Sequence, residues 1–431
     1  MRVHTLLIYL LFLSVFILPS MARAEYSQEP TKNLQAQTIE SANGLTLQTA
    51  LTLALEANPE ISVAIREREA IEGVVTQAGT RPNPSISTSI QDTRRDTRQV
   101  FLQLNQEIEL GNKREARIEA ADAFYNKASA KLESKKAEIH ANVVTTFYEV
   151  LAGQERLKLS RSSVEVANLA LDAASKRVKA GKSSPVEETK SKIAESSAKI
   201  EFNQAASQLS SARKRLSALW GNPLPVFESA QGDVENIPSV SSLADLSASL
   251  ESSPAISLAK LEISARDSMT KIERSKATPN ITISAGVLNN QELGGLNQAL
   301  LGLSVPIPVF DRNQGNLQEA VSRQYKAQDE LVAVRAQLLA NLATQYERLN
   351  SARQTSESLR SEILPGAQSA FDAANKGFNA GKFSFLDVLD AQRTLFQARS
   401  IYIQALLDAH QAVAEIERIT GNTASSLTAK P

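Results

Sequence analysis

Apolar residues in this chain repeat in two rhythms, and each rhythm occurs twice. Over 84–92, Ile86, Thr88 and Ile90 alternate with Ser85, Ser87 and Ser89. Over 99–109, Val100, Leu102 and Leu104 alternate with Gln99, Gln103 and Asn105, with Phe101 breaking the polar side. Over 280–288, Ile281, Ile283, Ala285 and Val287 share one side, and over 299–309 Ala299, Leu301, Leu303, Val305 and Ile307 do the same. A period of two predicts strands with one apolar and one polar face. At about ten residues each, they suit tilted membrane strands. The links 92–98 and 288–298 are expected to be solvated loops, the first being Asp92-Thr93-Arg94-Arg95-Asp96-Thr97-Arg98.

The second rhythm is helical. Ile139, Val143, Phe147 and Val150 recur at spacings of three and four, as do Leu331, Val334, Leu338, Leu342, Tyr346 and Leu349. Such spacing marks a narrow coiled-coil seam. Asn112 to Ala180 contains no proline, so one helix there would run about 100 Å at 1.5 Å per residue. Away from the seams these stretches are Ala, Ser, Gln, Lys and Glu, and neighbouring helices are expected to cover the seams. Pro365 is expected to kink or break the second long helix.

The rhythms belong to an internal repeat. Ala180-Gly181-Lys182 recurs as Ala380-Gly381-Lys382, and Ser184 as Ser384. Asn58-Pro59 resembles Ser253-Pro254, and Pro82-Asn83 matches Pro279-Asn280. The domain reading is a first repeat over 45–221 and a second over 241–421, joined by a linker at 222–240. Each repeat ends in a helical hairpin, with tips near 181–184 and 381–384. Glycine at 181 and 381 allows the left-handed turn that ends a helix. Ser184-Pro185-Val186-Glu187 reads as a helix start with serine at the cap, and Ser384-Phe385-Leu386-Asp387 as its counterpart.

Four strands cannot close a barrel, and an open sheet edge is costly in lipid. Three copies would supply twelve strands. The expected fold is therefore a mixed α/β membrane protein: a trimeric 12-stranded β-barrel, four strands per protomer, continued by a long periplasmic α-helical barrel. A water-soluble sheet packed on helices is the alternative, and no compact helical domain matches the apolar faces.

Export fits the N-terminus. Arg2 and His4 precede the apolar run Leu6 to Leu18, and Ala22-Arg23-Ala24 suits a cleavage site. Residues 1–24 read as a signal peptide, with 25–44 and 422–431 as loosely held tails. The chain has no cysteine, hence no disulfide and no lipidated N-terminal cysteine. With 47 basic and 47 acidic residues it offers no basic surface for nucleic acid.

Enzyme chemistry is not supported. After signal cleavage only His140 and His410 remain, each alone in a helical stretch. No nucleophile elbow, zinc motif or phosphate loop is present, and no cofactor or specific metal coordination is expected. Asp387 and Asp390 stand out because residues three apart share a helix face. In a trimer they would make a ring of six carboxylates at a narrow entrance, attracting cations. Capping by Asp387 and plain solvation of Asp390 are the bland alternative. The tip residues Gly181, Lys182, Ser183, Ser184, Glu187, Gly381, Lys382, Phe383 and Ser384 could dock a partner's helical tips, although exposed turns are also simply polar.

This pattern resembles the TolC family of outer-membrane efflux proteins across nearly the whole mature chain. Residues Val305-Pro306-Ile307-Pro308-Val309-Phe310-Asp311-Arg312-Asn313-Gln314-Gly315-Asn316, and the stretch Asn105 to Arg114, resemble its heavy-metal, CzcC-like branch. The resemblance implies a homotrimer in the outer membrane, a periplasmic adaptor protein and an inner-membrane, proton-driven pump of the resistance-nodulation-division class. It also implies that Asp387 and Asp390 belong to a constricting, cation-binding ring. Phe383 stands where some members carry a gating arginine. Drug efflux or type I protein secretion through the same channel, and a non-conducting periplasmic coiled-coil scaffold, remain open.

Overall fold

A computed structural model describes residues 44–421. The expected signal peptide over 1–24, the expected N-terminal tail over 25–44 except its last residue, and the expected C-terminal tail over 422–431 lie outside the described residues. The chain opens with β1 (Leu45–Thr46), α1 (Leu47–Ala57) and α2 (Pro59–Ala78), then the strands β2 (Ser85–Gln91) and β3 (Gln99–Ile108). Two long helices follow, α3 (Lys113–Lys179) and α4 (Pro185–Ala218). After β4 (Ala230–Gln231) and α5 (Leu243–Ser249), the same order returns: α6 (Pro254–Ser275), β5 (Ile281–Asn290), β6 (Leu296–Ser304), α7 (Gln314–Ser358), α8 (Leu364–Asn379) and α9 (Phe385–Thr420).

Helix α2 begins on Asn58, whose Oδ1 accepts from the Glu60 and Ile61 amides at 2.8 and 3.1 Å. Helix α6 begins on Ser253, whose hydroxyl accepts from Ile256 N at 3.2 Å. Each cap is followed by a proline in the first helical turn, where no N–H is missed.

Strands β2, β3, β5 and β6 form one antiparallel sheet in that order. Its centre joins the two halves, with all ten residues of β3 facing β5. The expected strands lie within a residue or two of those observed, except the last. Strand β6 runs Leu296–Ser304 rather than 299–309. Strand β5 continues to Asn290, which pairs with Leu296, so pairing starts early. It stops at Ser304, just short of Pro306, which has no N–H to donate.

Helix α3 is an unbroken 67 residues, as its composition predicts. Neighbouring helices cover its seam, as expected, and they come from its own chain. Ile139, Val143, Phe147 and Val150 are buried by their own chain, against Leu53 and Ile61 of α1 and α2, Leu209 and Leu216 of α4, and Phe227. In the second half Leu342 and Leu349 pack against Ile256 of α6 and Val413 and Ile416 of α9. The short helices ahead of each strand pair, which carry their own apolar faces, supply the cover. Truncating a core leucine of this kind to alanine costs about 2–5 kcal/mol.

The segment 222–240 is tied to the helices it passes. Ala230 pairs in parallel with Leu45, and the Gln154 side chain bonds both its N–H and its C=O, at 2.7 and 3.0 Å. His410 bonds Val234 O at 2.8 Å. Long polar side chains from α3 and α9 thus satisfy the strap's backbone, a pairing no local sequence pattern announces.

Pro365 acts as expected. Helix α7 ends in a π turn over Leu359–Ile363, and α8 restarts with Pro365 in its first turn. The ring clashes with the carbonyl four residues back, and the widened turn absorbs that clash.

Candidate functional site: a curved sheet and two helical tips

The register sorts the sheet's side chains by face. One row is Ile86, Leu104, Ala285 and Leu301; the next holds Thr88, Leu102, Val287 and Ala299. The opposite face carries Ser87, Gln103, Gly286 and Leu300, then Ser85, Asn105, Ser284 and Gly302. Leu102, Leu104, Ile283, Val287, Leu301 and Leu303 are exposed, whereas Gln103, Asn105, Ser284 and Gln298 are half-buried. The sheet therefore curls with its apolar face outward, while the inner face crowds its polar side chains together with the half-buried Phe101, Leu288 and Leu300. Among the described residues no helix packs on the apolar face, and both edges, β2 and β6, lack a neighbour.

At one end of the sheet, loops from the two halves meet. Asp92 binds Arg94 Nη2 at 2.6 Å and Thr97 Oγ1 at 2.6 Å. The Arg94 guanidinium and the Thr97 hydroxyl hold the Asp92 carboxyl well below the usual carboxylate range. Gln291 N donates to Arg98 O at 3.0 Å. At the other end the chain enters the long helices through two asparagines in left-handed backbone, Asn112 (φ 58) and Asn313 (φ 60). Arg117 grips Glu109 with both terminal nitrogens and lowers its pKa. Asn313 Nδ2 donates to Glu273 at 2.8 Å.

The far end is formed by the two tips. Gly181 (φ 68) and Gly381 (φ 74) take the left-handed turn their sequence predicts. Lys182 N donates to Arg177 O at 2.9 Å, and Lys382 N to Gly377 O at 2.8 Å. The helix starts differ. Ser384 and Asp387 form a reciprocal cap: Asp387 N donates to Ser384 Oγ at 3.3 Å, and Asp387 Oδ2 accepts from Ser384 N at 2.8 Å. In the first tip Ser184 Oγ accepts from Val186 N instead, and Glu187 takes the Ser183 hydroxyl. The expected serine–glutamate box is thus absent, because a nearer donor claims the glutamate.

The two aspartates are separated by their surroundings. Asp387 is committed to the cap. Asp390 has no side-chain hydrogen bond or ion pair among the described residues and borders a cleft of about 810 Å³ between α4 and α9. Helix α3 floors that cleft, and Arg156, Lys190, Glu201 and Arg393 share its walls. Lys182, Ser184, Lys382, Phe383 and Ser384 are exposed at the tips.

Two contacts went unforeseen. The guanidinium of Arg177 lies over the Phe378 ring, joining the hairpins. Phe383 folds onto Gly377, where a β-carbon would collide with the ring. The only hint in the sequence is the mismatch between the repeats, Arg177-Val178 against Gly377-Phe378. His140 is half-buried and His410 is stacked on Tyr148 at 3.5 Å between ring centroids. No metal-binding cluster occurs among the described residues, and no described helix is long and apolar enough to cross a membrane.

The family profile described as Outer membrane efflux protein matches residues 50–222 and 246–422. The chain belongs to that family. This outer membrane efflux protein is 43% identical to the cobalt-zinc-cadmium resistance protein CzcC of Cupriavidus metallidurans, over 94% of this chain and 97% of the relative. It is 30% identical to the nickel and cobalt resistance protein CnrC of the same organism, over 77% and 76% of the two chains. Its fold matches a crystal structure of CusC, described in terms of folding and transmembrane channel formation, with a TM-score of 0.74, 18% identity and coverage of 88% and 92%. The efflux protein is thus an outer-membrane channel component with a strand-built membrane region and a long periplasmic helical extension. It is a transport duct rather than an enzyme.

Proposed function

We propose that three copies of this chain close a 12-stranded barrel and a helical tube, forming the exit duct of a tripartite, proton-driven efflux system for heavy-metal cations. The observation that carries the reading is the curled sheet with a bare apolar convex face and two open edges. Lipid on the outside and a second copy at each edge satisfy both without further structure. Likeness to CzcC along nearly the full length of both chains favours metal cations as cargo. A passive duct needs no tight ligands, which suits a chain without cysteine. An inner-membrane pump would choose the cargo, and a periplasmic adaptor would meet the tips at the exposed Lys182, Lys382 and Phe383 and the half-buried Ser183.

The aspartates supply the cation preference of the entrance. Asp390, with no partner of its own, contributes more than Asp387, which is held in the cap. The test is single-channel recording of the purified trimer in planar bilayers. A small, steady conductance blocked by divalent and trivalent cations from the helical side is expected. Asp390→Asn should weaken the block and Asp387→Asn should weaken it less. Folded, inserted protein that never conducts, alone or with its adaptor, would overturn the duct; unchanged block in the double variant would remove only the aspartate role.

A further inference from the structure

Beyond its last paired residue, Ser304, strand β6 does not give way to polar chain. Val305-Pro306-Ile307-Pro308-Val309-Phe310 follows, and Val305, Ile307 and Val309 continue the odd-numbered apolar series of Leu301 and Leu303. Ile307 is 80% exposed and Phe310 92%, comparable with Leu301 in mid-strand at 83%. The equivalent junction in the first half is built oppositely. There Glu107 accepts from Asn280 Nδ2 at 2.6 Å and Glu109 is gripped by Arg117. One junction is charged and tied to its helices. The other is apolar over 305–310, where the hydrogen bonds stay local, Val309 N to Ile307 O at 2.9 Å and Arg312 Nε to Pro308 O at 3.3 Å, and its tie to a neighbouring helix comes only at Asn313.

Backbone chemistry says where such a segment is tolerated. Unpaired N–H groups are what bar irregular chain from lipid. Here Pro306 and Pro308 have none and Val309 donates its own to Ile307 O, which leaves the Ile307 and Phe310 amides to water or lipid headgroups and suits the segment to the interface rather than to the acyl core. Asp311 and Arg312 then return the chain to water, and a basic residue bordering exposed apolar side chains is typical of interfacial segments. The segment leaves the sheet on the side of the long helices, which is the periplasmic side.

We propose that residues 305–310 are an interfacial membrane anchor, laying Ile307, Val309 and Phe310 among the headgroups and first acyl carbons of the inner leaflet of the outer membrane. Continuity with the sheet's convex apolar face selects lipid as the occupant. The anchor fixes the depth at which the strands sit and the level at which the helices begin. It rests on the reading of that convex face as lipid-facing.

The test places tryptophan by Phe310→Trp, and by Leu301→Trp as a mid-strand control, in the full-length trimer. Each variant is reconstituted in phosphatidylcholine–phosphatidylglycerol vesicles brominated at shallow or deep acyl positions. Trp220, buried in the helical core, is retained and the wild-type signal subtracted. Expected is blue-shifted emission at 310 quenched more by shallow bromines, and at 301 more by deep ones. If 301 is quenched and 310 is not, the anchor is overturned, whether 310 emits as in water or as if covered by a neighbouring copy. If 301 itself is not quenched, the lipid-facing sheet fails first and takes the anchor with it.

Discussion

The guanidinium carbon of Arg177 sits 5.0 Å from the centroid of the Phe378 ring. Arg177 belongs to the last turn of α3 and Phe378 to the last turn of α8, so the pair links the two hairpins close to their turns. Exposed cation–π pairs contribute about 0.5–1 kcal/mol, enough to bias a tip with few other cross-links. Arg177→Gln and Phe378→Leu should each raise the open fraction of the reconstituted channel, and the double variant should exceed neither single by much. Additive effects in a double-mutant cycle would mean the two residues act separately.

Glycine to alanine within a helix normally stabilises by up to about 1 kcal/mol. At Gly377 the sign should reverse, because the added methyl meets the Phe383 ring. Gly377→Ala is therefore expected to lower the melting temperature of the protein. In a Phe383→Ala background the same change should raise it. A stabilising effect in both backgrounds would mean the ring does not rest there.

Acid should loosen the helical core through His410. Burial lowers its pKa below the ordinary 6.5, opposed by the Val234 carbonyl and by Asp233. The unfolded chain then binds the proton more readily than the folded one. The stability is complete above about pH 6.5 and is lost as pH falls toward the depressed folded-state value. Thermal melts across that window should show a steeper decline for the wild type than for His410→Phe. Equal slopes would place the acid sensitivity elsewhere.

Barrel closure can be read with a cross-link, since the chain has no cysteine of its own. Ser87 and Gly302 lie on the same face at opposite edges of the sheet. Three inter-strand steps of about 4.8 Å and a two-residue offset along the strand put them roughly 16 Å apart within one chain, beyond the limit of about 7 Å for a disulfide. Oxidation of a Ser87→Cys, Gly302→Cys protein, or of neighbouring pairs from Ser85 or Ser89, should yield covalent dimers and trimers on denaturing gels. Monomers throughout the scan would leave the edges unpaired.

Much of this architecture is legible without coordinates, for identifiable reasons. Strand alternation and an unbroken 67-residue helix are local patterns, and so are the Gly181 and Gly381 turns and the Pro365 break. What escaped depends on contacts distant in sequence. The seam of Ile139 and Phe147 is filled by α1, α2 and α4. The strap over 222–240 is held by Gln154 and His410, which look like ordinary helix residues. Capping by Asp387 is legible from Ser384 three residues earlier, whereas the cleft that Asp390 borders is not. Arg177 could be identified only as a basic residue near a helix end until Phe378 was placed beneath it.

The π turn at Leu359–Ile363 has a consequence for symmetry. Each helical residue advances the azimuth by about 100°, so one extra residue in a single turn rotates every side chain below it relative to those above. The first half has no such insertion, since α3 runs through unbroken. Hairpins that look interchangeable when their turns are aligned are therefore wound out of phase along their upper lengths. A tube assembled from three such chains contains six hairpins, but only every second one repeats. Its wall is threefold rather than sixfold, so side chains facing its axis recur at intervals of a third of a revolution.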